Sequence, residues 1–425
     1  MESVGAQGSL SSANFAGLKD TMPRRVVITS IGVISALGFS AEKIVASLKT
    51  GRVFLERTPF DGSVWACPIT SHFNLRDFTG RYKNARYLNR GAQFCVASAI
   101  AALRESGLDG PMRAKAGLFV GTGPNLDIGS EFPQIEQGRL DRDELAALWI
   151  LRFLPNTAAS AISDLAGIHG ENATIGTACS ASLQAIGEAY RRVKHGHLDL
   201  ALAGGGDSRL SSGGILAYRK AQALWTGDGD CSRQYSPFDT TRRGFVPGEG
   251  GAFFVLEELE HARNRAARIY AEVCGYGATL DGYNMTAPEP DGEWAEAAVR
   301  SALREADLEA SRLDVVFAHG TGTPLNDTME ANLISRVQGE HRPLVVALKS
   351  WIGHLAAACG AVELAVGLAC MERKYLPPIR NLKNPCLGEV DFVREAKELQ
   401  GNTMLLQNFG FGGQNSALVV RLWRE

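Results

Sequence analysis

Three short segments, far apart in the chain, carry side chains that could act together: Thr177-Ala-Cys-Ser-Ala-Ser182, His319-Gly-Thr-Gly-Thr-Pro-Leu-Asn-Asp327 and Lys349-Ser-Trp-Ile-Gly-His354. They supply a thiol (Cys179), two imidazoles (His319 and His354) and an ammonium (Lys349). A thiolate can capture an acyl group covalently and so split one difficult displacement into two easier ones. An imidazole, with a reference pKa of about 6.5, is mostly neutral at pH 7 and donates from one ring nitrogen. Residues 180–195 read as a helix because Leu183, Ile186 and Tyr190 fall on one face. Cys179 is therefore expected at a helix N-terminus, where unpaired N–H groups and the helix dipole favour thiolate and lower the thiol pKa from about 8.5.

Each residue alone has a plainer reading. A cysteine before a helix is commonly a small buried hydrophobe, and a histidine beside glycine commonly sits in a turn. Lys349 would ordinarily be solvated, but it follows the apolar run 344–348, so the chain enters a buried turn where an unpaired ammonium is costly. Glu330, on a helix expected over 328–337, is the predicted partner of Lys349.

The elements that must hold these groups alternate along the chain. Strands are expected at 26–31, 116–120, 172–175, 198–203, 251–256, 315–318, 344–347 and 416–422. Helices are expected at 41–48, 90–106, 180–195, 293–305, 328–337 and 356–373. This alternation gives an α/β class with a mostly parallel sheet. A strand, a small-residue turn and a helix occur around Cys179 and again around 349–365, a weak internal echo.

The three segments, their order and their separations resemble the elongating β-ketoacyl-(acyl carrier protein) synthases of the thiolase superfamily. The resemblance extends from Arg25-Val-Val-Ile-Thr-Ser-Ile-Gly-Val33 through Ser236-Pro-Phe-Asp239 and Arg243-Gly-Phe-Val-Pro-Gly-Glu-Gly-Gly251 to Asn408-Phe-Gly-Phe-Gly-Gly-Gln-Asn415, covering about residues 24–425. It implies a thiolase fold, a five-layered αβαβα sandwich of two similar halves, 24–270 with the cysteine and 271–425 with the His, Lys and His. It implies a decarboxylative condensation: an acyl group held on Cys179 is attacked by the enolate of a malonyl thioester on acyl carrier protein. His319 and His354 would stabilise the enolate, Lys349 and Glu330 would support the site, and the N–H groups of Cys179 and Phe411 would hold the oxyanion. No cofactor or metal is implied beyond the carrier's phosphopantetheine.

Tyr218 and Phe411 are expected along the substrate pocket. Tyr218 stands where similar long-chain enzymes carry phenylalanine, which points to a more polar or conjugated acyl group. Delivery by an acidic carrier predicts a basic entrance, with Arg81, Lys83, Arg86, Arg90, Arg219 and Lys220 as candidates. A dimer is expected, with 149–154 near its two-fold axis, either of identical chains or with a cysteine-less chain-length partner. A degradative thiolase is disfavoured because 408–415 holds no second cysteine, and a starter synthase because His354 stands where that class has asparagine.

Composition narrows the field in the same direction. A net charge of −2 excludes a globally basic nucleic-acid binder. Eight cysteines without a C-x-x-C favour reduced thiols in a cytoplasmic enzyme over a disulfide framework. The glycine-rich 243–251 lacks the phosphate-loop lysine and hydroxyl, and Ala203-Gly-Gly-Gly206 lacks the dinucleotide fingerprint. Residues 1–23 read as a disordered extension, and the apolar run 355–371, interrupted by Glu363, falls short of a membrane span.

Overall fold

The computed structural model describes residues 24–59, 61–126 and 147–424. The expected extension over 1–23 lies outside them. Ten strands form the main sheet: β1 (Val26–Ile34), β2 (Gly117–Gly121), β3 (Asn172–Ile175), β4 (Leu200–Ser208), β5 (Glu249–Glu258), β6 (Ala271–Leu280), β7 (Val315–Phe317), β8 (Leu344–Val346), β9 (Thr403–Gly410) and β10 (Gln414–Leu422). Their order is β8-β7-β9-β10-β6-β1-β5-β4-β2-β3. The five strands from β6 onward in sequence occupy one half and the five earlier strands the other. The halves are joined by a ladder of only three residues on each side, Val26–Ile28 against 271–273.

The sheet is mixed, which corrects the expectation of a mostly parallel one. The outer pairs β8-β7, β7-β9, β4-β2 and β2-β3 are parallel, whereas every pair from β9-β10 inward to β5-β4 is antiparallel. The β9–β10 connection shows why. Three residues, 411–413, turn the chain back, and a turn that short can only return the strand antiparallel. Gly412 (φ 79°) and Gly413 (φ 74°) supply the left-handed conformations the turn requires.

Eight helices complete the architecture relevant to the site: α1 (Ala41–Lys49), α2 (Arg90–Ser106), α3 (Thr157–Ala166), α4 (Ala181–Lys194), α5 (Ser212–Lys220), α6 (Glu293–Glu305), α7 (Pro324–Gln338) and α8 (Cys359–Glu372). Helices α4 and α8 pack on each other and against strands of both half-sheets. α2 and α3 cover the outer face of the earlier half, and α6 and α7 that of the later half. The result is helix, sheet, helix, sheet, helix: the five-layered sandwich. Because α8 lies in the middle layer, it is buried on every side from Cys359 to Met371, as an all-round apolar helix must be.

The internal echo has a conformational basis. Each middle-layer helix is entered through a 3-10 turn, Ala178–Ser180 before α4 and Ala356–Ala358 before α8. Each turn begins with an alanine at left-handed φ, +49° at Ala178 and +48° at Ala356. That conformation costs an L-residue roughly 1–2 kcal/mol, so packing on both sides must enforce it. Helix α7 begins at Pro324, four residues before the expected start, because proline suits the first helical position.

Candidate active site

The two strained turns point their products at each other. Cys179 is the middle residue of the first turn and is 9% exposed. Gly410 lets β9 close over it: a Cβ there would lie 3.0 Å from Thr177 O and 3.1 Å from Cys179 N. The Phe411 N–H, at the start of the β9–β10 turn, is near enough to the Cys179 sulfur to favour its thiolate.

His354 precedes the second turn. Its Nδ1 accepts from the Ala356 N–H at 3.0 Å and lies 3.5 Å from the Cys359 Sγ. The neutral ring therefore carries its hydrogen on Nε2. Its backbone is clamped by Val246 O (2.7 Å) and Gly248 N (2.8 Å), so the glycine-rich 243–251 segment packs beneath the site. His319 follows β7. Its Nδ1 meets the Lys349 Nζ at 3.2 Å and the Asn408 Nδ2 at 3.3 Å, two donors that again leave the hydrogen on Nε2. The two rings are 5.6 Å apart and nearly perpendicular. One atom from each of Cys179, His319 and His354 lies within 4.8 Å of the others. Three such ligands could surround a cation, but the Lys349 ammonium beside His319 works against one.

Lys349 is fully buried, and its partner is Glu363 at 2.6 Å. This corrects the expected pairing with Glu330. The other Glu363 oxygen accepts from Asn408 Nδ2 at 2.8 Å. Glu330, also fully buried, instead accepts the backbone N–H groups of His319 (2.6 Å) and Gly320 (2.7 Å) and the Gln407 side chain (2.7 Å). Asp327, one turn earlier on α7, accepts from the N–H groups of Thr321, Gly322 and Phe238. Two carboxylates of α7 thus hold the 319–323 loop. In the sequence Glu363 stands out only as an interruption of the apolar run 355–371. A charged residue inside such a run is itself the signal of a buried partner.

Electrostatics departs from the sequence expectation at the thiol. Burial pushes Cys179 up to about 11, against the Lys349 charge and the Phe411 N–H, which favour thiolate. Burial also drives both imidazoles well below their ordinary range, and the Lys349 charge adds to this at each ring. Lys349 is held as an ammonium: burial lowers its pKa, but the Glu363 carboxylate 2.6 Å away, by charge and by hydrogen bond, works against that and its pKa stands above the ordinary value. Burial lifts Glu330 to about 7 in spite of its donors.

A cleft of about 500 Å³ opens on Cys179, His319 and His354. Phe411, 38% exposed, and Leu325, 64% exposed, stand along it, with Gln222, Arg242 and Arg243. None of the six basic residues expected at the entrance lines it. Arg90 is held by buried Glu249 through two bonds of 2.6 and 2.7 Å. Arg86 lies over the Tyr87 ring, Arg219 pairs with Asp61, and Arg81 and Lys83 are exposed before α2. Arg219 and Lys220 end α5 immediately before the cleft-lining Ala221. Tyr218 is half-buried and packs edge-on against Phe245, 4.9 Å away, which in turn lies 4.7 Å from the His354 ring.

A thiol, two Nε2–H donors and two backbone donors around one cleft are the parts of an acyl-transfer and condensing site. The comparisons agree. Residues 23–262 match the beta-ketoacyl synthase N-terminal domain and residues 270–383 its C-terminal domain, so the chain belongs to the beta-ketoacyl synthase family of condensing acyltransferases. The 3-oxoacyl-[acyl-carrier-protein] synthase 2 of Coxiella burnetii is 35% identical over 413 residues, covering 93% of this chain and 98% of that protein. A beta-ketoacyl synthase crystal structure from Burkholderia phymatum superimposes with a TM-score of 0.86 at 32% identity, covering 94% of this chain and all of that one. The ishigamide ketosynthase/chain length factor matches with a TM-score of 0.85 at 29% identity, covering 95% of this chain and 100% of that one. Among the described residues no helix is long and apolar enough to cross a membrane.

The high thiol pKa yields a direct expectation. Below about pH 11 the thiolate fraction of Cys179 grows tenfold per pH unit, so its alkylation by iodoacetamide should climb log-linearly from pH 7 to 9. Peptide mass spectrometry at Cys179 measures this. A rate that levels off below pH 8 would mean a thiol already ionised near neutrality.

Proposed function

We propose that Cys179 carries the acyl group and that His319 and His354 generate the malonyl enolate, giving a β-ketoacyl-(acyl carrier protein) with no added cofactor. The observation that carries this reading is the convergence of Cys179 Sγ with two imidazoles whose hydrogens both sit on Nε2. In the first half-reaction the Cys179 sulfur attacks the incoming thioester carbonyl. The pantetheine sulfur leaves and takes up the proton that Cys179 gives up. In the second, the malonyl carbon–carbon bond breaks, carbon dioxide departs, and the electron pair forms an enolate whose oxygen accepts from both Nε2–H groups. The enolate carbon attacks the acyl-Cys179 carbonyl, the oxyanion accepts from the N–H groups of Cys179 and Phe411, and collapse breaks the carbon–sulfur bond and expels the Cys179 thiolate, which takes up a proton from water. Loss of one such donor typically costs about 3–4 kcal/mol of barrier stabilisation. Lys349 and Glu330 act as supports: one fixes His319 through Nδ1, the other fixes its backbone.

Cys179→Ala should form no acyl-enzyme. His319→Ala and His354→Ala should still acylate Cys179 while carbon dioxide release falls by roughly a hundredfold or more. Measuring retained mass and labelled carbon dioxide separately decides the matter. Acylation lost in both variants with decarboxylation intact would reverse the roles.

Substrate delivery by acyl carrier protein is supported by the rim of the cleft. Arg242 is spent on Thr323 O, Asp239 O, Pro324 O and Thr328, whereas Arg243 is exposed and, among the described residues, has no acceptor. Arg243 and Lys220 are the cationic face offered to an acidic carrier, and Arg81, Lys83 and Arg86 form a secondary one, whereas Arg219 and Arg90 are already neutralised by Asp61 and Glu249. Arg243→Glu should raise KM for carrier-borne substrate at least severalfold and leave a small pantetheine-mimic thioester unaffected. Equal losses with both substrates would place Arg243 in the chemistry instead.

A dimer is supported by the unequal edges of the sheet. β8 is covered, since Val345 exchanges backbone hydrogen bonds with Asp391 and Val393. β3, at the other edge, pairs on one side only among the described residues and is half-exposed. Near it in sequence, in and around the Trp149–Arg152 turn, Leu148 (50%), Ile150 (51%) and Leu154 (39%) are exposed. Sedimentation at micromolar concentration should give a homodimer. An active monomer would refute the interface, and a monomer activated only by a cysteine-less homologue would establish the heterodimeric form.

A further inference from the structure

Cys359, the first residue of α8, is a fully buried thiol that the condensing chemistry leaves unused. Its Sγ lies 3.5 Å from His354 Nδ1, within reach of a sulfur hydrogen bond. That nitrogen already accepts from the Ala356 N–H at 3.0 Å, and a backbone N–H can only donate. Nδ1 therefore carries a lone pair and no hydrogen, so the hydrogen shared with Cys359 belongs to sulfur. Burial holds this thiol well above its ordinary pKa, which keeps that hydrogen in place. The sulfur has little room to move. At the next residue, Gly360, a Cβ would lie 2.5 Å from both Asn408 Oδ1 and Leu183 Cβ, so the start of α8 is wedged between β9 and α4. Around the His354 ring stand the Phe245 ring at 4.7 Å and the His319 ring at 5.6 Å, neither of which engages Nδ1. Among the described residues, Cys359 is the one side chain that does.

Resting on the reading that His354 generates the enolate, we propose that Cys359 is a positioning residue: its S–H holds the His354 ring by Nδ1 so that Nε2–H stays aimed at the malonyl thioester oxygen. His319 is gripped in the same way, with Lys349 and Asn408 behind its Nδ1. A thiol suits the place beside Ala356 because it is a weak donor, able to share one lone pair without pulling the ring off the backbone N–H. A cysteine that only filled space would do none of this, and the two roles predict opposite orders for its replacements. Serine keeps a donor where alanine has none. As mere filling, a buried hydroxyl is the worse choice.

The test separates Cys179 acylation, read by retained mass, from labelled carbon dioxide release in Cys359→Ala and Cys359→Ser. Alanine should lower carbon dioxide release roughly fivefold, as loss of one weak hydrogen bond does, with acylation slowed far less. Serine should restore most of that release. Infrared spectroscopy reads the contact directly: the S–H stretch that disappears in either Cys359 variant should move to higher frequency in His354→Ala, where its acceptor is gone. One folded Cys359 variant is enough to identify that band. Carbon dioxide release undiminished in Cys359→Ala, serine no better than alanine, or a stretch unmoved in His354→Ala overturns the positioning role and leaves the condensing reading intact. Carbon dioxide release retained in His354→Ala, with the stretch shifted, overturns the role of His354 itself and with it the purpose of the contact.

Discussion

The site depends on one buried ion pair. Lys349 and Glu363 meet at 2.6 Å with side-chain exposures of 0% and 1%, in the interior of the middle layer. Desolvating two charges costs several kcal/mol each, and such pairs often contribute little net stability. This one instead fixes geometry. Lys349 reaches His319 Nδ1, Glu363 reaches Asn408, and Asn408 reaches the same His319 nitrogen, so α8, β9 and the loop after β7 are tied at one imidazole. Removing either charge would leave the other buried and unpaired, which makes the pair an all-or-none constraint on the ring's position and tautomer.

The elements that could be read from sequence are those whose pattern is local. α2 and α6 match their expected bounds because their amphipathic periodicity is local, with Asn89 capping α2 and the left-handed Gly292 preceding α6. β3 matches because it is short and bounded by turn residues. β6, β9, α3 and α5 have no counterpart among the expected elements. β6 alternates apolar with small and polar residues and mixes two glycines into its run, and those glycines are required because α6 packs onto it: a Cβ on Gly277 would lie 2.0 Å from Ala298 O. α3 is only ten residues long, built mainly of alanine and serine, and its only large apolar side chains are Ile162 and Leu165, so little in its composition marks a packed helix. Strand direction was misjudged for a related reason, since alternating strands and helices report connectivity and say little about which strands become neighbours.

At the site, residue types were legible and partnerships were not. The three segments name Cys179, His319, Lys349 and His354, and the structure brings all four together. Which carboxylate faces Lys349 depends on a helix fourteen residues further on folding back through the middle layer, a contact no spacing rule gives. The thiol was misjudged because a helix N-terminus is visible in sequence while desolvation is not. At 9% exposure burial outweighs the local donors, and Cys179 rests as a thiol.

That balance suits the proposed chemistry. An imidazolium beside the malonyl thioester would make enolate formation easier but would also protonate the enolate, ending the cycle in a simple decarboxylation. Holding both rings neutral removes the proton without removing the hydrogen bond, since each Nε2–H remains while Nδ1 is engaged from behind. The positive charge is stored one atom shell away, on Lys349, where it polarises His319 and favours the Cys179 thiolate as the sulfur leaves. A site arranged in this way stabilises an anion at carbon long enough for it to find an acyl group, and burial is the property that both depresses the imidazoles and keeps competing water out.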